Sequence, residues 1–154
     1  MTYLLLKTLH ISAVVLFIGN ITTGVMWKYH ADRSGDPRMM AHALAGIIRS
    51  DRWFTVPGVV LIALTGVMLA MVGRFPIFGT FWIWTSLALF GLSGLLFGLW
   101  VGPSQKRLLV IATQPAFDVR EYERVSSTWA WSGFGALVTP FAALALMVFK
   151  PAGF

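Results

Sequence analysis

Long apolar stretches alternate with shorter polar ones along this chain. Each apolar stretch is long enough to cross the hydrocarbon core of a bilayer as a helix, which takes about 20 residues. The four stretches are roughly Tyr3–Trp27, Trp53–Val72, Thr80–Val101 and Ser126–Phe149. The pattern predicts an all-α fold, an integral membrane four-helix bundle, in one domain over residues 1–154.

The first polar segment predicts one more helix, over about residues 37–49. The polar run KYHADRSGDP is expected to end the first helix, and Asp36 followed by Pro37 is typical of a new helix start. Apolar residues then recur at helical spacing: Met40, Ala43, Leu44, Ile47 and Ile48. This spacing indicates a short amphipathic helix at the cytoplasmic membrane interface. The following segment, SDRWFTVPG, is expected to turn the chain into the second span.

The second half of the chain carries further helix signals. A break is expected at Gly102–Pro103, followed by another short amphipathic segment. Asp118 with Glu121 three residues later has the pattern of a capping box, so the last helix should begin before the fourth span. Inside that helix Pro140 has no N–H to donate, and the carbonyl of Ala136 should therefore be free.

Composition and charge agree with a bilayer location. The chain is 57% hydrophobic and 12% charged, about half the charged fraction of a soluble domain. It has no cysteine, which excludes disulfides and thiolate metal sites. Its six acidic residues lie among the basic residues of the polar segments, so the net charge of +6 does not predict a nucleic-acid partner.

The positions of lysine and arginine predict the orientation. Twelve such residues are present, and nine of them lie in the first and third polar segments: Lys28, Arg33, Arg38, Arg49, Arg52, Lys106, Arg107, Arg120 and Arg124. Because positive residues favour the cytoplasmic side, both long polar segments should be cytoplasmic. The sequence therefore predicts a bacterial inner-membrane protein with both termini in the periplasm.

One histidine lies inside a predicted span, and it is the leading candidate for a functional residue. Ionisable side chains are costly in hydrocarbon and usually mark a site, so His10 is predicted to be a metal ligand, with a hydrogen-bonded packing role as the alternative. His30 is about 30 Å further along the same helix and cannot share a metal with it. Asn20 falls on the same face as His10, and Lys7 lies near the outer surface.

The second ligand at His10 is open at this stage. Met68 and Trp84 reach a similar depth on other spans, and methionine is an accepted haem ligand. If His10 binds a haem iron, that iron could instead be five-coordinate, or two subunits could each supply a His10 ligand. In the third span Gly94, Gly98 and Gly102 recur every four residues, a pattern that lets helices approach closely and suggests a homo-oligomer contact.

Two blocks of the sequence carry a family resemblance. They are LLKTLHISAVVLFIGNITTGVMWKYHADRSGDP and IIRSDRWFTVPGVVLIALTG. The chain resembles a family of bacterial integral membrane proteins with four spans and no assigned activity. It is distantly similar to the HemJ-type protoporphyrinogen oxidases and to copper-resistance D membrane domains. In HemJ-type proteins a first-helix K-x-L-H-I motif, here Lys7 to Ile11, carries a histidine tied to haem b. The resemblance implies haem b or a porphyrin at His10, with a quinone as electron partner.

Overall fold

The chain folds into helices joined by short turns. A computed structural model describes residues 1–151, and no strand occurs within them. The α-helices are α1 Thr2–Ser34, α2 Pro37–Ser50, α3 Val56–Val72, α4 Phe81–Leu96, α5 Gly102–Thr113 and α6 Val119–Phe149. Two π-helical turns, Asp51–Thr55 and Phe97–Val101, lie between α2 and α3 and between α4 and α5. The predicted all-α class is confirmed.

The two π-helical turns make continuous helices where the sequence suggested interruptions. Residues Pro37–Val72 and Phe81–Thr113 each form one long helix, so the expected turn at SDRWFTVPG and the expected break at Gly102–Pro103 were wrong. In each π turn a backbone N–H bonds to the carbonyl five residues earlier, Val56 to Asp51 and Gly102 to Phe97. Each turn ends two residues before a proline, Pro57 or Pro103. The wider turn accommodates a residue that has no N–H to donate, and the helix continues past it.

The first helix also extends further than its sequence suggested. It continues through the polar run after Trp27 and ends at Ser34, because Lys28 and Ala31 on one face of that run are buried. Gly35 follows with φ 69°, the left-handed conformation that favours glycine at a helix end. The next helix begins as predicted, with the Asp36 carboxylate accepting from the N–H of Arg38 at 2.8 Å.

The largest buried cluster lies at the end of the molecule assigned to the cytoplasm. Leu44 of α2 and Leu108 of α5 are both 0% exposed, and Tyr122, Val125 and Trp129 of α6 pack in the same cluster. The amphipathic helix is present where it was predicted, and its apolar face is covered by α5 rather than by lipid. The α6 start is also as predicted, since Asp118 accepts from the N–H of Glu121 at 3.1 Å.

In the apolar half of the molecule the helices associate mainly in two pairs, α1 with α3 and α4 with α6. The carbonyl of Ala136, which Pro140 leaves free, accepts from the Ser93 hydroxyl at 2.6 Å and ties α4 to α6. Many large apolar side chains on these helices are exposed, as expected of residues that face lipid. All four long helices are long and apolar enough to cross a membrane.

Candidate functional site

His10 is held against α3 by a polar contact between helices. Its Nδ1 lies 2.8 Å from Oγ1 of Thr65, and the Thr65 hydroxyl donates to the carbonyl of Leu61 at 2.6 Å. Because a hydroxyl has one proton, the Thr65 oxygen must accept from His10. The histidine is therefore the Nδ1–H tautomer, and its Nε2 keeps a lone pair that a metal can take.

A glycine lets the imidazole approach α3 this closely. A Cβ added at Gly66 would stand 3.2 Å from Cε1 of His10, tighter than ordinary van der Waals contact. Gly66 follows directly after Thr65, so the two residues form a small seat for the ring. Sequence reasoning placed Met68 at the depth of His10 and did not identify Thr65, one turn earlier on the same helix.

The other residues predicted around His10 lie in different surroundings. Met68 is 47% exposed and Trp84 is 44% exposed, so neither side chain is part of the buried core. Lys7 is also exposed, near the start of α1. Asn20 is ten residues along α1 from His10, about 15 Å of helix. The structure therefore separates Asn20 from the histidine and assigns it to a second polar centre.

That second centre is built around Asp51, which the sequence interpretation had assigned to a cytoplasmic loop. The carboxylate is 8% exposed. Its Oδ1 accepts from Asn20 at 3.1 Å and from Thr55 at 2.7 Å, and its Oδ2 accepts from Gln105 at 3.0 Å. Asn20 also donates to the Thr55 hydroxyl at 2.9 Å. The centre thus joins α1, the first π turn and α5.

A cleft of about 220 Å³ opens beside the Asp51 centre, between the two helix pairs. We call it the central cleft. Most of its surface is apolar, and its polar lining residues include Asn20, Asp51, Thr55, Ser93 and Gln105. Its apolar lining includes the rings of Phe17, Phe90, Phe97 and Trp129.

A third polar centre surrounds Lys28, which is 2% exposed. Its Nζ forms an ion pair with Asp32 and donates to the Ser126 hydroxyl at 2.8 Å. The ammonium also lies 5.3 Å from the ring centroid of Tyr122 and 5.1 Å from that of Trp129, within the range of cation–π attraction. The Tyr122 hydroxyl donates to Asp32 at 2.7 Å. This centre ties the end of α1 to the start of α6.

Two of the three glycines of the third span have open space beside them within residues 1–151. A Cβ added at Gly94 or Gly98 would meet nothing within 4 Å. Gly102 stands apart, because its Cβ would lie 3.4 Å from the carbonyl oxygen of Phe97. The homo-oligomer contact through this face stays a prediction. Among residues 1–151, no group of three or more His, Asp or Glu side chains could hold a metal ion.

Comparison with known proteins identifies a family over nearly the whole chain. Residues 4–151 match the model of the family described as predicted integral membrane protein (DUF2269). No curated protein matches the chain. No solved structure matches it either.

Proposed function

Since the chain belongs to the DUF2269 family of predicted integral membrane proteins, we propose a function within the bilayer, which is to bind haem b or a related tetrapyrrole through His10. The bound group would supply a one-electron redox centre, and a quinone would be the electron partner. The distant similarity of the KTLHI segment to HemJ-type oxidases motivates this proposal.

The state of the imidazole is the observation that carries the proposal. A histidine that binds a metal generally donates its other ring N–H to an acceptor, which fixes the tautomer and the ring orientation. His10 has this arrangement, with Nδ1–H donating to Thr65 at 2.8 Å and Nε2 left for a ligand. A packing histidine can make the same contact with Thr65, so the test of the proposal is whether Nε2 binds a metal.

The proposal predicts a coloured protein. After expression with a haem precursor, the purified chain should show a Soret band. The number of haems per chain and the Met68→Leu spectrum then separate the three ligand arrangements. Five-coordinate iron gives one haem per chain and no change in Met68→Leu, ligation by Met68 gives a changed spectrum, and a site shared by two His10 side chains gives about one haem per two chains. A protein that stays colourless would contradict the proposal.

The orientation that we propose is an inner-membrane protein with both termini in the periplasm. Alkaline phosphatase is active only after export, so a fusion after Phe154 should be active and a fusion after Pro115, between α5 and α6, should be inactive. The physical reason is the excess of Lys and Arg in the two long polar segments. The reverse pattern of activity would overturn the assignment.

A second role is favoured by the glycines of α4 and the following π turn. Because added Cβ atoms at Gly94 and Gly98 would meet nothing within 4 Å among the described residues, a helix of another chain or a lipid could pack on this face. The chain would then act as a non-enzymatic membrane subunit or scaffold. A purified protein that is colourless and oligomeric would support this role over haem binding.

A further inference from the structure

The central cleft contains an acceptor with unused capacity. A carboxylate offers about four positions to hydrogen-bond donors, and within residues 1–151 the Asp51 carboxylate has three donors. Two of them reach Oδ1 and one, from Gln105, reaches Oδ2. Oδ2 of Asp51 can therefore accept one further hydrogen bond, and Asp51 lines the cleft.

The same cleft is lined by a residue with an unused donor. Trp129 is 7% exposed, and its indole N–H is buried with no acceptor among the described residues. Buried polar groups are almost always paired, so an unpaired one calls for an explanation. The ring of Trp129 already contacts Lys28, but that contact leaves the N–H without a partner.

The lining and the volume limit what could pair with these groups. Three phenylalanine rings line the cleft, Phe17, Phe90 and Phe97, and the first two pack edge to face at 5.6 Å. Aromatic surfaces favour an aromatic guest. A volume of about 220 Å³ lies below the range of roughly 300–1,000 Å³ for drug-sized ligands. It suits a single ring and is too small for a tetrapyrrole.

We propose that the central cleft binds the head group of a membrane-soluble phenol or hydroquinone. A hydroxyl of the guest donates to Asp51, an oxygen of the guest accepts from Trp129, and the ring packs among the three phenylalanines. An ammonium guest would pair with Asp51 and leave the Trp129 N–H without an acceptor, which favours the hydroxyl. Binding here does not require haem at His10, so the two proposals fail separately.

The cleft is reachable from the bilayer. Val56 and Val60 of α3 line it and are more than half exposed, at 54% and 53%. Gly94 of α4 also lines it and is exposed. Helix α3 belongs to one helix pair and α4 to the other. The space between α3 and α4 is therefore the route for a guest dissolved in lipid. An apolar tail on the guest would lie in that space.

Fluorine NMR of the purified full chain in detergent tests the site with 4-fluorophenol as the probe. Its matched control is 4-fluorotoluene, which has a methyl group in place of the hydroxyl. Asp51→Asn and Trp129→Phe should each weaken phenol binding, by about tenfold for the charged acceptor and about fivefold for the indole. Neither change should alter the binding of the toluene.

Two glycine variants test the location without touching the polar groups. Gly133 lines the cleft and has open space at its Cβ, whereas Gly91 has open space and does not line it. Gly133→Leu should fill the cleft and abolish phenol binding, and Gly91→Leu should retain it. His10→Ala should also retain it, which separates this site from the haem proposal. Full phenol affinity in Gly133→Leu would overturn the proposal, and so would equal loss of both probes in Asp51→Asn and Trp129→Phe.

Discussion

Asp32→Asn is expected to lower the free energy of unfolding by about 3–5 kcal/mol, the typical cost of breaking a buried ion pair from one side. Lys28 is 2% exposed, and its counter-charge is the Asp32 carboxylate. The substitution leaves the ammonium buried with no counter-charge, among neutral acceptors and two aromatic rings. Thermal or SDS-induced unfolding in detergent measures the change.

Three comparisons show whether charge is the cause. Lys28→Met should cost less than Asp32→Asn, because the Asp32 side chain is 31% exposed and keeps its bond from Tyr122. The double variant Lys28→Met/Asp32→Asn should recover most of the loss. Glu121→Gln breaks the exposed pair with Arg107 and should cost at most about 1 kcal/mol. If Asp32→Asn cost no more than Glu121→Gln, the buried pair would not stabilise the junction of α1 and α6.

Leu108→Ala should lower the free energy of unfolding by about 2–5 kcal/mol, as large-to-small changes in a packed core do. Leu108 is 0% exposed and packs in one cluster with Leu44 of α2. The matched control is Leu95→Ala on α4, where the side chain is 59% exposed. That change should cost under about 1 kcal/mol.

The pair of leucine variants tests whether α2 packs on protein. A helix that lay flat on the bilayer would present Leu44 to lipid, and α5 would have no reason to bury Leu108 against it. Equal decreases in the free energy of unfolding for Leu108→Ala and Leu95→Ala would therefore contradict the packed arrangement. Leu44→Ala in the same assay should match Leu108→Ala.

The sequence was sufficient for features that depend on local chemistry. Four spans follow from the length of the apolar stretches. The starts of α2 and α6 follow from Asp36 and Asp118, whose side chains bond to N–H groups two and three residues on. The free carbonyl of Ala136 follows from Pro140, and only its partner, Ser93, could not be predicted, because it lies on another helix.

Other features were missed because they depend on distant contacts. Lys28, Asp32 and Asp51 have the local sequence of loop residues, and their burial is made possible by partners on other helices, such as Ser126 and Gln105. Interruptions were expected at the SDRWFTVPG segment and at Gly102–Pro103, and both are π turns within continuous helices. A π turn leaves little trace in the sequence. The one sign of the Asp51 centre was Asn20, a polar residue on the inward face of the first span.

The partner of His10 shows the same limit. Met68 was predicted because it lies at the same depth as His10. Residues at equal depth meet only if the helix faces that carry them also point toward each other. The rotation of α3 instead brings Thr65 and Gly66 to the ring. The polar contact that results fixes the imidazole tautomer, which is the feature on which the haem proposal depends.

The Soret absorbance of His10→Ala, measured beside His42→Ala, tests the central claim most directly. His42 is an exposed histidine on α2, so its variant controls for the loss of any histidine. Haem ligation through Nε2 of His10 predicts that the band disappears in His10→Ala and stays at full intensity in His42→Ala. Full and spectrally unchanged haem loading in His10→Ala would contradict the account and leave His10 as a hydrogen-bonded packing residue between α1 and α3.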